Sequence, residues 1–142
     1  MKGVSNCFNF SIYIIHMLNE IARKMSMYDF CHFARVNSVT QTRTQGRYYA
    51  YFVQSVKDRM LERLAADDKA GALRIIASDD HKDERDALVE SVTKIDTEIR
   101  DIYQLATGNS LPIVEAAKRG YLSIIQKLFE NLIYQLITKD RL

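Results

Sequence analysis

The residues that most often do chemistry in proteins are few in this chain. The three histidines are His16, His32 and His81, and the two cysteines are Cys7 and Cys31. Cys31 and His32 are adjacent, so a helix would turn them away from a common metal ion, and the set lacks zinc-ligand spacing. We therefore expect no metal site. His16 lies in an apolar run and is expected to be a core residue.

Two pairs of acidic residues, Asp67-Asp68 and Asp79-Asp80, are the remaining candidates for general acid and base catalysis. Each pair flanks a predicted helix, where solvated helix caps explain both. The sequence has no glycine-rich phosphate loop and no Gly-x-Ser-x-Gly nucleophile motif. We predict no catalytic residues, no cofactor and no enzymatic activity.

The composition is that of an ordinary folded domain. The chain has 142 residues, of which 47% are hydrophobic and 27% are charged, with a net charge of +2. This length predicts a single helical domain over residues 1–142 that can bury a core. Two cysteines do not make a disulfide framework, so a reducing, cytoplasmic setting is the simpler expectation.

A helix–turn–helix hairpin is predicted over residues 108–138. Ser110 is predicted to cap the first helix, Pro112 suits its first turn, and Gly120 is expected to end it at positive φ. The apolar residues of the second helix recur at steps of one, three and four, which makes one wide stripe. They are Leu122, Ile124, Ile125, Leu128, Phe129, Leu132, Ile133, Leu136 and Ile137.

Residues 108–130 resemble an ankyrin repeat. That family has a β-turn and two helices, with a Thr-Pro-Leu-His-x-Ala core. Here Pro112, the pair Ala116-Ala117 and Gly120 stand in register with the family pattern.

The segment also departs from that pattern. Leu111 and Val114 stand where the family has threonine and histidine, and the helical pattern continues past Phe129. The longer helix suits a terminal repeat, beyond which nothing needs to stack. A degenerate second copy is predicted near residues 61–77, around Gly71.

The resemblance implies an all-α fold, with helical hairpins stacked as a short ankyrin-like array and additional N-terminal helices. It also implies a non-catalytic protein-interaction module whose partner is another protein. Such modules bind through the turn tips and the inner helix face. The corresponding positions in this chain are Gly108, Asn109 and Ser110 at the tip, and Glu115, Lys118, Arg119 and Tyr121 near the groove. A host-directed effector of an intracellular pathogen, delivered into a host cell, is an alternative that rests on the resemblance alone.

Two further helical segments are predicted, a hairpin over residues 46–77 and one amphipathic helix over residues 84–106. The second segment carries an apolar seam at heptad-like spacing. The seam residues are Leu88, Val92, Ile95, Ile99, Ile102 and Ala106. Packing within a bundle is one interpretation of this seam. Self-association into a homo-oligomer is the other.

An apolar N-terminal helix is predicted over residues 1–27. The run from Cys7 to Leu18 is too short to span a bilayer, which needs about 20 residues. A buried or partner-facing helix is expected. A targeting or membrane-surface helix and an export signal are the alternatives.

A basic and aromatic stretch lies between Asp29 and Asp58, where the sequence has no acidic residue. Such a combination can hold single-stranded nucleic acid by stacking its bases on aromatic rings. The basic residues are Arg35, Arg43, Arg47 and Lys57. They are sparse for a nucleic-acid footprint, so we expect an ordinary basic surface and neither nucleic acid nor a membrane as partner.

Overall fold

The computed structural model describes residues 20, 23–36 and 47–140, and within these ranges every regular element is a helix. The predicted all-α class is therefore confirmed. The helices are α1 (Met27–Val36), α2 (Arg47–Ala65), α3 (Lys69–Ile76), a 3₁₀ helix (Asp79–Glu84), α4 (Arg85–Thr93), α5 (Glu98–Thr107), α6 (Pro112–Arg119) and α7 (Leu122–Asp140). Most of the predicted N-terminal helix over residues 1–27 lies outside the described residues.

The long helix α2 lies at the centre of the molecule and contacts α3, α5, α6 and α7. Its buried residues follow one another at steps of one, three and four, as a helix needs to keep one wide face inward. They are Phe52, Val53, Val56, Met60, Leu61 and Leu64. The ring of Phe52 stacks on that of Phe30 from α1, with 3.8 Å between the ring centroids. The core therefore forms around α2.

The hairpin predicted over residues 46–77 is present as α2 and α3, but its turn differs from the expectation. Asp67, with φ of 56°, takes the left-handed conformation in the turn, whereas Gly71 lies inside α3. The Asp68 carboxylate caps α3 by accepting a hydrogen bond of 2.9 Å from the Gly71 amide. A Cβ on Gly71 would collide with that carboxylate, so this glycine permits a close approach. Gly71 and Gly120 thus have different roles.

The single amphipathic helix predicted over residues 84–106 is wrong, because the structure has two helices there, α4 and α5, which pack on each other. Asp96 lies in the turn between them. Its Oδ1 accepts a hydrogen bond of 3.0 Å from the Glu98 amide, which caps the start of α5. Its Oδ2 lies 2.7 Å from Nζ of Lys57 on α2. Two short helices folded together keep the same apolar spacing as one long helix, so periodicity could not locate the break.

The break between α4 and α5 also determines where the residues of the predicted seam lie. Val92, Ile99 and Ile102 are buried in the chain's own core, and Leu88 is half-buried beside it. Ile95 lies in the turn and is 59% exposed. The seam is therefore part of the chain's own bundle and does not form a continuous surface for a second copy.

The hairpin predicted over residues 108–138 is present as α6 and α7. Pro112 is the first residue of α6, and Gly120 ends it with φ of 73° in the left-handed region, both as predicted. The predicted capping role of Ser110 is wrong. Leu111 occupies the cap position, and its apolar side chain supplies no capping hydrogen bond. Among the described helices, none is long and apolar enough to cross a membrane.

Candidate interaction surface

The predicted tip forms the connection between α5 and α6. The Nζ atom of Lys69 donates hydrogen bonds to the backbone oxygens of Gly108, at 2.6 Å, and Ser110, at 2.7 Å. These bonds tie the connection to the start of α3. The side chains of Asn109 and Ser110 remain exposed, so the tip presents polar groups on a fixed backbone.

Most of the predicted groove residues lie together in what we call the Arg119 cluster, which consists of Ser110, Glu115, Arg119 and Tyr121. Arg119 donates from Nε to Glu115 Oε1 at 2.9 Å and from a terminal nitrogen to Gln104 Oε1 at 2.8 Å. Tyr121 lies close enough to Arg119, and Ser110 close enough to Glu115, to affect the pKa values of these two side chains. The Arg119 hydrogen bond holds the pKa of Glu115 below its usual value, against the opposing effect of desolvation. These side chains hold α6 against α5.

Asn109 and Lys118 lie outside the Arg119 cluster. Both are exposed, one before the start of α6 and the other near its end. A helix of eight residues is about 12 Å long, so a partner must span roughly that distance to touch both. The structure therefore gathers Ser110, Glu115, Arg119 and Tyr121 into one cluster and leaves these two apart.

Among the residues that the structure describes, Lys57 has the most buried charged side chain, which is 7% exposed. Its Nζ lies 2.7 Å from Asp96 and 3.4 Å from Glu98, whose carboxylate is also 3.5 Å from Lys127. Burial lowers the pKa of Lys57, but the hydrogen bond to Asp96 and the charge of Glu98 outweigh it, so the pKa lies above its usual value. The amine thus stays protonated at neutral pH and cannot act as a nucleophile.

Both described histidines lie against the ring of Tyr28. His81 stacks on it with 4.1 Å between centroids, and His32 is tilted at 4.2 Å. A small cavity of about 180 Å³ beside Tyr28 and His32 is lined partly by Cys31 and Glu84. In the part of the chain that the structure describes, no group of three histidine, cysteine or acidic side chains is placed to hold a metal ion.

An apolar stripe on α7 is left uncovered by the described part of the chain. Ile124 and Leu128 of this helix are buried against the core. On the next part of its circumference, four apolar side chains are between 45% and 63% exposed. We call these four the α7 outer face: Phe129, Ile133, Leu136 and Ile137. The sequence predicted an apolar stripe of nine residues on this helix but did not assign it to binding. The signal was its width, because a helix that packs on the core along one edge needs fewer apolar residues than nine.

The α7 outer face is continuous and carries no charge. At about 100° per residue, its four side chains lie within an arc of about 100°, which also holds the polar but uncharged Gln126. Leu122 lies about two turns before Phe129 on the same line and is 79% exposed. From these exposures the apolar area is on the order of 500 Å², as large as the largest patch on a typical monomer. Patches of that size often mark an interaction site.

A polar groove borders the α7 outer face. It lies between α2 and α7 and has a volume of about 480 Å³. Its lining includes acidic side chains, such as Glu62 and Glu130, and the basic Lys127. Tyr134 forms one edge of the groove and is 68% exposed. An apolar centre bordered by charged and aromatic residues is the usual composition of a protein–protein interface.

Two surfaces are thus candidates for function, the Arg119 cluster with its exposed neighbours and the α7 outer face. No protein-family model, curated protein or solved structure matches this chain. The choice between the surfaces therefore depends on their physical chemistry. The side chains of the Arg119 cluster already hold two helices together, whereas those of the α7 outer face are exposed to water at a free-energy cost.

Proposed function

We propose that the chain is a non-catalytic protein-interaction module of ankyrin-repeat type, working in the cytoplasm, and that the α7 outer face is its main binding surface. The observation that carries this proposal is the exposure of Phe129, Ile133, Leu136 and Ile137 on a helix whose other edge is well packed. Transfer of about 500 Å² of apolar surface out of water is worth on the order of 10 kcal/mol before the costs of association. A partner that covers this face recovers part of that free energy.

The predicted tip and groove residues have a secondary role in this proposal. Asn109 and Lys118 are exposed and available to a partner, whereas Glu115 and Arg119 are already paired. A partner charge that replaced the Arg119–Glu115 pair would exchange one ion pair for another, which yields little free energy at an exposed position. These polar residues therefore set orientation more than affinity.

Photo-crosslinking at single positions tests the proposal. Benzoylphenylalanine is placed at Phe129 to sample the α7 outer face, or at Lys118 to sample the groove. Tyr51 on α2, which is 65% exposed, is the aromatic control. The chain is expressed in the cells from which it derives and irradiated there. We expect a discrete protein adduct from position 129, a weaker one from 118 and none from 51.

Two outcomes decide against the proposal. Equal, diffuse labelling from all three positions would mean that the α7 outer face meets proteins only by collision. An adduct from Lys118 with none from Phe129 would move the binding surface to the tip and groove that the ankyrin resemblance implies.

A further inference from the structure

We propose that the partner of the α7 outer face is a second copy of this chain, with two α7 helices packed antiparallel about a two-fold axis at Ile133. This inference rests on the proposed function, because it assigns the occupant of the same surface. The α7 outer face is apolar and exposed, so a contact that covers it is stabilising.

The spacing along α7 suits a symmetric contact. In a two-fold interface, residue i meets residue j of the second copy and residue j meets residue i. Phe129 and Ile137 are each four residues from Ile133, on opposite sides. Antiparallel packing about Ile133 therefore brings Phe129 against Ile137 of the second copy and Ile133 against its own equivalent. Every one of these contacts joins apolar side chains of similar exposure.

The charges and the area are consistent with the same arrangement. No charged side chain lies within the arc that holds the α7 outer face, and Glu130 is exposed at its edge, so two copies meet without like charges opposed at the centre of the contact. The α7 outer faces of two copies together bury on the order of 800 Å² of apolar surface, and the rim around Tyr134 adds more. Stable specific interfaces bury about 1,200–2,000 Å² in total and weak, transient ones less, so this area fits a weak dimer. A dimer with a dissociation constant in the micromolar range is expected.

Placing like or opposite charges at position 133 of the two copies tests whether the two-fold axis lies there. The full chain is studied by sedimentation velocity and light scattering from about 1 to 100 µM, which brackets a micromolar dissociation constant. The parent protein should pass from monomer to dimer over this range. Ile133→Glu and Ile133→Lys should each weaken the dimer at least tenfold, because two like charges then meet at the axis. An equimolar mixture of the two variants should restore it.

The matched control is Ile95→Glu, which places the same charge at another exposed isoleucine, in the α4–α5 turn. It should leave the dimer unchanged. Thermal melts followed by circular dichroism establish that each variant is folded, and since Ile133 is on the surface we expect melting curves close to that of the parent.

Three results would overturn the inference. A parent chain that stays monomeric throughout the range is not a dimer through any face. A dimer that survives Ile133→Glu uses another part of the chain, and a mixture that stays monomeric has no axis at Ile133. The proposed function fails separately, because a monomeric chain that forms an adduct with a different protein through position 129 still binds by the α7 outer face.

Discussion

Replacing Lys57 with methionine removes the cation that holds the α4–α5 turn against α2. The Nζ atom lies 2.7 Å from Asp96 and 3.4 Å from Glu98, and the side chain is almost fully buried. At an effective dielectric constant of about 20, the attraction to Asp96 alone is about 6 kcal/mol. Most of this attraction offsets the free energy needed to remove the ammonium group from water. The net contribution of the ion pair is therefore much smaller than the Coulomb energy.

The loss in the free energy of unfolding can be bracketed from exposure. Removing one partner of a fully buried ion pair costs about 3–5 kcal/mol, because the remaining charge is left uncompensated. The carboxylates of Asp96 and Glu98 are 27% and 26% exposed, so water solvates part of their charge. We expect Lys57→Met to lower the free energy of unfolding by about 2–3 kcal/mol. Asp96→Asn keeps an acceptor for the Glu98 amide and should lose about 1 kcal/mol.

Urea unfolding followed by far-UV circular dichroism measures these losses, provided that the slope of the transition stays constant. Lys94→Met is the matched control, because Lys94 is exposed on the same turn; its change should stay within about 0.5 kcal/mol. The double variant, which carries both Lys57→Met and Asp96→Asn, should lose about 1–2 kcal/mol less free energy of unfolding than the sum of the two single losses. A Lys57→Met loss no larger than that of the control, or strict additivity, would refute the argument that this tertiary ion pair stabilises the turn.

Two further predictions concern backbone strain and titration. Gly120→Val should destabilise the chain by about 2 kcal/mol more than Gly120→Asn, because Val tolerates positive φ poorly. No atom lies within 4 Å of an added Cβ, so the difference comes from the backbone conformation and not from a steric clash. Equal urea midpoints for the two variants would contradict this prediction. Burial, followed by the hydrogen bond to Asp86, raises the pKa of Tyr103 to about 12 from 10.0, so its contribution to stability is present below pH 10 and is lost as the pH rises through about 12. Absorbance titration should therefore show a tyrosinate step near pH 12 that Tyr103→Phe abolishes, and a step that persists in this variant belongs to another tyrosine.

The features predicted well from the sequence are those encoded by neighbouring residues. Helical spacing of apolar residues predicted the all-α class and both hairpins, over residues 46–77 and 108–138, because residues three and four apart share a helix face. Gly120 was predicted at positive φ for an equally local reason, since glycine has no Cβ to oppose that conformation. The resemblance to ankyrin repeats adds an interpretation of the second hairpin, which the experiments above test.

The features predicted badly depend on residues that are distant in the sequence. The break between α4 and α5 lies at Asp96, whose carboxylate meets Lys57 from another helix. Nothing within residues 84–106 signals that meeting. The predicted groove residue Arg119, at the end of α6, donates a hydrogen bond to Gln104 of α5. Its role in holding α5 and α6 together was not apparent from its position in the sequence.

The α7 helix shows most clearly the difference between a feature set by neighbouring residues and one set by tertiary packing. The sequence by itself determined that this segment is a helix with a wide apolar stripe, because side-chain polarity and the period of the helix are properties of the segment alone. Only the tertiary structure decided that Ile124 and Leu128 are buried while Phe129 and Ile133 face outward. Burial depends on which neighbours pack against each edge of the helix, and α2 and α6 cover only one edge of a stripe that is wider than their contact.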